Sequence, residues 1–151
     1  MSAILFSPLS AVAVGPAGPP SKLSVAPYSS PSTAIVVTAG SPVGEDDFQW
    51  VLLGLTVPSG LIIKAVVVCY QIIGSPKGTY ISQTRLTEMT TPNTALVVHD
   101  DPTNLLSPTP VRYTSVTKGP LTLNGAITLA LKMVVAKKTD KILVGDISLL
   151  S

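Results

Sequence analysis

Few residues of this chain can do chemistry, and they are scattered. The single histidine lies in Val98-His99-Asp100-Asp101-Pro102, where an imidazole beside two carboxylates could serve as a general base or a metal ligand. The same run is ordinary turn chemistry, with Asp side chains bonding nearby backbone N–H groups, and we read it that way. A hard cation such as calcium would need Asp100 and Asp101 to be joined by Glu45, Asp46 and Asp47. That requires two distant loops to meet, and no EF-hand-like spacing is present. One histidine and one cysteine, Cys69, cannot supply the three or four nitrogen and sulfur ligands that zinc takes. Ser115-Val116-Thr117-Lys118 has S-x-x-K spacing, but that motif belongs at a helix start and here falls in a β-forming run. No G-x-S-x-G, Walker or G-x-G-x-x-G pattern occurs. Glu88 has no evident second carboxylate for glycoside cleavage. We therefore assign no catalytic, cofactor-binding or metal-binding residue and expect no cofactor and no enzymatic activity.

Binding surfaces are the other route to function. The seven aromatic residues are Phe6, Tyr28, Phe48, Trp50, Tyr70, Tyr80 and Tyr113. Phe48 and Trp50 are two apart, so in a strand they share a face. Such a pair suits a sugar platform if exposed and a sandwich core if buried, and the core is the expected place. Lys137, Lys138 and Lys141 could touch phosphate, but three lysines around a reversal read as a solvated turn that discourages edge pairing. Cys69, inside Val66-Val67-Val68-Cys69-Tyr70, reads as a small buried hydrophobe.

The elements that must position these residues are strands. From Asp46 onward, runs of Val, Ile, Leu and Thr are bounded by Gly, Pro, Asn and Asp. Strands are predicted over about 47–57, 61–73, 79–89, 94–99, 111–117, 125–135 and 141–150, with an eighth at Thr33 to Thr38. Between Gly125 and Val135, Ile127, Leu129, Leu131, Met133 and Val135 take one face, and Ala126, Thr128, Ala130, Lys132 and Val134 take the other. Val57-Pro58-Ser59-Gly60 and Gly74-Ser75-Pro76-Lys77-Gly78 supply tight connections. The pattern predicts an all-β, two-sheet antiparallel β-sandwich of jelly-roll or Greek-key type with about eight strands. Leu61 to Ile73 is apolar on both faces, so its outer side needs a cover, either the folded-back arm or another subunit.

Residues 1–44 differ from the rest. They hold Pro at 8, 16, 19, 20, 27, 31 and 42, and Lys22 is their only charge. The segment reads as an extended Pro/Ser-rich arm before a domain at 45–151. Gly15-Pro16-Ala17-Gly18-Pro19-Pro20 makes only two collagen-type triplets, which reads as a stiff linker.

Composition bounds the partners. Charged residues are 12% of the chain, about half the usual ~25%, and the net charge is +2. Nucleic acid and anionic lipid are not the expected main partners. Leu61 to Ile73 carries Lys64 and Gln71 and is too short for a ~20-residue membrane helix. No secretory signal is read in Met1 to Ser10, which lacks a basic start and reaches Pro8 early. Scarce charge, a two-sided apolar strand and a long arm together predict a structural protein that self-assembles into a homo-oligomer or larger particle. The expected form is a capsid, decoration or fibre-head component at a virion or extracellular particle surface, with the arm bridging copies. The alternative is a carbohydrate- or receptor-binding sandwich module, favoured by 32 Ser and Thr residues that make a neutral hydrogen-bonding surface.

Overall fold

The computed structural model of the protein describes residues 2–18, 20–29 and 34–151. Among the described residues eleven strands are formed: β1 (Ala3–Phe6), β2 (Val12–Val14), β3 (Leu23–Pro27), β4 (Ile35–Ala39), β5 (Trp50–Leu55), β6 (Leu61–Ile73), β7 (Tyr80–Thr91), β8 (Thr94–Asp101), β9 (Val111–Leu123), β10 (Ala126–Val134) and β11 (Lys141–Leu150). Two 3₁₀ turns, Pro8–Ser10 and Glu45–Asp47, complete the described elements. Among the described residues no helix is long and apolar enough to cross a membrane.

The strands form the expected antiparallel sandwich. One sheet runs β3-β4-β11-β6-β9, with β1 also on β11, and the other runs β2-β5-β10-β7-β8. From β8 onward the chain alternates between sheets, so β9 and β11 belong to the first and β10 to the second. The core lies between the sheets, where Ile63, Val66, Val68, Ile81, Leu86, Leu123, Ile127, Leu129, Met133, Ile142, Ile147 and Leu149 are almost fully buried. Each contributes transfer free energy on the order of 1.5–3 kcal/mol.

The segment before Gly44 is built into both sheets. β1 pairs with the C-terminal half of β11 (Ala3 opposite Leu150) and β4 with its N-terminal half (Ile35 opposite Val144). β6 occupies the other edge of β11 along both halves, so β1 and β4 share one edge end to end. β2 closes the second sheet against β5. These strands lie in the plane of the sheets, so they do not cover the outer face of β6. Gly15 and Gly18 exchange two backbone hydrogen bonds, which folds the presumed linker into a tight turn. Pro19 of that linker and Thr33 of the predicted arm strand lie outside the described residues.

The two-sided apolar character of β6 has a local cause. A register shift between Ile63 and Ala65 interrupts the alternation, so Ile63 faces the core and, after the bulge, so do Val66, Val68, Tyr70 and Ile72. Ala65 and Val67 then face outward yet are buried. They are short side chains in a central strand, flanked by Thr114 and Val116 on β9 and by Ser148 and Leu150 on β11.

Candidate functional site

The outward face of the five-stranded sheet is the part of the molecule where polar and aromatic side chains converge. In β5, Val51, Leu53 and Leu55 take the core side. The period of two then puts Trp50, Leu52 and Gly54 outside. Cross-strand register extends these into three rows. Trp50 sits opposite Lys132, and Lys132 opposite Gln83; Leu52 opposite Ala130, Ala130 opposite Arg85, and Arg85 opposite Asp100; Gly54 opposite Thr128, and Thr128 opposite Thr87. The strip of outward face along these rows is the trough: its side chains are small where Thr128 lies between Gly54 and Thr87, whereas Ala130 is buried between Leu52 and Arg85.

Arg85 reaches across β10 and places its guanidinium 4.9 Å from the centroid of the Trp50 ring, within cation–π range. Its Nε donates to Asp100 Oδ1 at 3.2 Å, and Gln83 Nε2 donates to the same oxygen at 2.6 Å. Among the described residues the terminal guanidinium nitrogens of Arg85, the carbonyl oxygen of Gln83, Asp100 Oδ2 and Trp50 Nε1 have no further hydrogen-bond partner. The trough therefore offers unused donors and acceptors beside an aromatic ring.

One end of the trough is walled by the Glu45–Asp47 turn and Phe48. Phe48 has left-handed backbone geometry, φ 50°, which is uncommon for a bulky residue. Its neighbours hold it there. The buried Gln49 accepts from Ser21 Oγ at 2.7 Å and Lys22 N at 2.9 Å and donates to Asp47 O. The Asp47 carboxylate accepts from Gly44 N at 2.7 Å and pairs with Lys22 at 3.1 Å. Those two partners, the Gly44 amide first, hold its carboxyl below the usual range. Phe48 then lies 49% exposed, with Lys132 Nζ 4.6 Å from its ring centroid. Glu45 bridges Lys132 (3.2 Å) and the Tyr80 hydroxyl (3.0 Å), and burial, followed by the Glu45 contact, pushes the Tyr80 phenol up.

Phe48 and Trp50 are thus not core residues. Phe48 precedes β5, and Trp50 falls on the outward parity because three aliphatic residues claim the inner one. Arg85, Gln83 and Lys132 join them as functional candidates. Only Lys132 was legible, as one of the outward positions of the 125–135 strand; the others become a cluster through cross-strand register.

A second polar cluster ties the open edges of the two sheets together. His99 is buried in β8, and its Nε2 lies 2.7 Å from Ser115 Oγ on β9. Ser115, 0% exposed, donates its hydrogen to Asp101 Oδ2 at 2.6 Å, and the Tyr113 hydroxyl donates to the same oxygen at 2.6 Å. Asp101 Oδ1 accepts from Thr103 N at 3.0 Å, the turn chemistry expected of this run. Burial alone would raise the Asp101 carboxyl, but the bonds from Ser115, Tyr113 and Thr103 outweigh it and bring it to about 2. Burial lowers His99, against the pull of Asp101 and Asp100. The acidic residues near 45–47 do not meet Asp100 and Asp101, and among the described residues no group of three or more His, Cys, Asp or Glu is placed to hold a metal ion. Cys69 is half-buried on the outer face of the other sheet, where burial raises its thiol. Nearby, Arg112 and Asp146 form a bidentate pair at 2.8 and 2.9 Å.

The fold is a β-sandwich that solved carbohydrate-binding modules share. The chain is similar to a family 35 carbohydrate-binding module from Clostridium thermocellum (TM-score 0.55, 13% identity, covering 100% of this chain and 99% of that one). It is also similar to a module designated CBM4 (TM-score 0.56, 10% identity, 92% and 84%). A third similar structure is a C-terminal family 22 carbohydrate-binding module from Clostridium thermocellum, described for the role of its cleft residues in ligand binding (TM-score 0.52, 9% identity, 97% and 92%). At these identities the likeness is one of fold. No protein-family model matches the chain, and no curated protein matches it in sequence.

These similarities overturn the expectation of a self-assembling capsid, decoration or fibre-head component with a bridging arm. The three solved structures named above are carbohydrate-binding modules, and they favour the alternative reading. The physical reason for the error lies in the first 44 residues, whose strands pair within their own chain on β11 and β5.

Proposed function

We propose that the protein is a non-catalytic carbohydrate-binding module that takes a glycan along the outward trough of the five-stranded sheet. The observation that carries this reading is the set Arg85, Gln83 and Asp100 joined by hydrogen bonds beside Trp50. Planar side chains with unused donors and acceptors match adjacent sugar hydroxyls, and an aromatic ring matches the C–H face of a pyranose. Phe48 extends the apolar contact at one end. The charges of the trough are paired internally, Arg85 with Asp100 and Lys132 with Glu45, which favours an uncharged ligand.

Hydrolytic chemistry at the other cluster is disfavoured by the order of its hydrogen bonds. A nucleophilic serine must give its proton to histidine. Ser115 gives its proton to Asp101 instead, and a carboxylate held near 2 is a poor base.

Affinity electrophoresis against a panel of neutral plant and bacterial polysaccharides, followed by calorimetry on any that retard the protein, tests the proposal. Trp50→Ala and Arg85→Ala are each expected to weaken binding by about 10- to 100-fold with the fold intact by circular dichroism. Absence of retardation on every polysaccharide, or full affinity in both variants, would overturn it.

A further inference from the structure

β8 and β9 are the last strands of their respective sheets, and between them the open side of the sandwich holds a cleft of about 390 Å³. This is near the lower end of the ~300–1,000 Å³ typical of small-molecule sites, so it suits one ring rather than an extended chain. It is distinct from the trough, since it faces the gap between the sheets. The groups lining it include His99, Asp101, Thr117 and Lys118, with Val97 and Val116 at 46% and 70% exposure beside them.

The hydrogen-bond network fixes what this cleft can accept. Ser115 spends its one hydrogen on Asp101, so it can only accept from His99. The His99 proton therefore sits on Nε2, and Nδ1 carries a lone pair that meets no partner among the described residues. Thr117 directs its hydroxyl hydrogen toward the carbonyls of Lys64 (3.0 Å) and Gly119 (2.6 Å), leaving oxygen lone pairs. Asp101 is an ionised acceptor, and no cation lies within ion-pair distance of it among the described residues. Apart from the Lys118 ammonium, the polar side chains of the cleft accept, and the ligand must bring the hydrogens for them. The Asp101 carboxylate is balanced by the Lys118 ammonium, which has no ion-pair partner among the described residues, and Asp100 is paired with Arg85, so the lining carries no net charge and suits a neutral ligand. Val97 and Val116 offer apolar contact for C–H groups.

We propose that the cleft between β8 and β9 is a second ligand site, which takes a single neutral glycosyl unit through hydroxyl hydrogens donated to His99 Nδ1 and Thr117 Oγ1. The site does not depend on the trough for any of its contacts. Only Asp100 borders both, its carboxylate being engaged by Arg85 and Gln83.

The test is a titration of the full chain, ¹⁵N-labelled at histidine, with methyl glycosides of glucose, galactose, mannose and xylose, read by long-range ¹H–¹⁵N correlation. His99 is the single histidine, so its ring nitrogens are assigned without ambiguity. At least one neutral glycoside is expected to shift the Nδ1 resonance saturably at millimolar concentration. Val116→Trp, a substitution at an exposed position that fills the mouth, is expected to abolish the shift without unfolding. Trp50→Ala is expected to leave the shift intact. No shift with any of the four glycosides, or an unchanged response in Val116→Trp, would overturn the proposal. Loss of polysaccharide binding in Trp50→Ala alone bears on the trough, and a His99 response without any polysaccharide binding would sink the trough reading while leaving this site standing.

Discussion

Asp101→Asn isolates the interaction that pins the edge of one sheet to the edge of the other. The carboxylate accepts on both oxygens, from Thr103 N on Oδ1 and from Ser115 and Tyr113 on Oδ2. An asparagine can present its carbonyl to only one of these sides and sets N–H against N–H or O–H on the other. The Asp101 carboxyl falls from an ordinary 3.8 to about 2 on folding. At ~1.36 kcal/mol per pH unit this corresponds to an upper limit of about 2–3 kcal/mol. Solvent that still reaches the half-buried group screens this to roughly 1–2 kcal/mol. Because folding depresses the pKa, the contribution is complete above about 3.8 and is lost as the pH falls toward 2. A protonated Asp101 has the same donor and acceptor pattern as asparagine, so variant and parent should converge there. Urea titrations followed by Trp50 fluorescence at pH 7, 5, 4, 3 and 2 measure the gap. The variant is expected to be less stable by about 1–2 kcal/mol from pH 7 to 5, with the difference closing between 4 and 2. A gap that stays constant to pH 2, or widens there, would refute the assigned role.

Two further outcomes follow from backbone and burial. Gly74 has φ +137°, and a Cβ at that position would overlap the Asp140 carboxylate, which is buried and accepts from the Thr79 hydroxyl at 2.5 Å. Gly74→Ala is therefore expected to destabilise by roughly 2–4 kcal/mol, or about 5–15 °C in Tm; a melting temperature within a degree or two of the parent in scanning calorimetry would contradict this. The Cys69 thiol is raised by burial, so alkylation by iodoacetamide at pH 8 should run several-fold slower than for free cysteine and reach the free rate in urea; equal rates in native buffer would contradict that.

Strand existence was legible because alternation is local. Leu61–Ile73 and Lys141–Leu150 have the predicted bounds, since continuous β-branched and aliphatic runs there end at turn residues. β9 was read short, ending at Thr117, because Gly119 and Pro120 look like a terminator. In the fold it continues to Leu123, because Gly119 and Pro120 fall in the register irregularity between Val116 and Leu121, where the ladder asks no hydrogen bond of the proline. The first four strands were mostly missed for a related reason. Proline and serine lower β-propensity, yet β1, β2 and β4 gain hydrogen bonds from β11 and β5, partners far away in sequence.

From the residues alone came the sandwich, its core-facing aliphatics and the absence of a recognisable catalytic motif, all properties of period-two patterning and residue type. Tertiary structure decided which face each pattern turned toward and who stood opposite whom. One bulge after Ile63 reversed the parity of β6, and β5 starting at Trp50 moved its aromatic residue from the expected core to an open trough. Arg85, Lys132 and Trp50 became neighbours through pairing of β5, β10 and β7, and His99, Ser115 and Asp101 through the approach of two sheet edges. Side-chain chemistry is carried by single residues, whereas recognition depends on distances between strands that only the packed sheets establish.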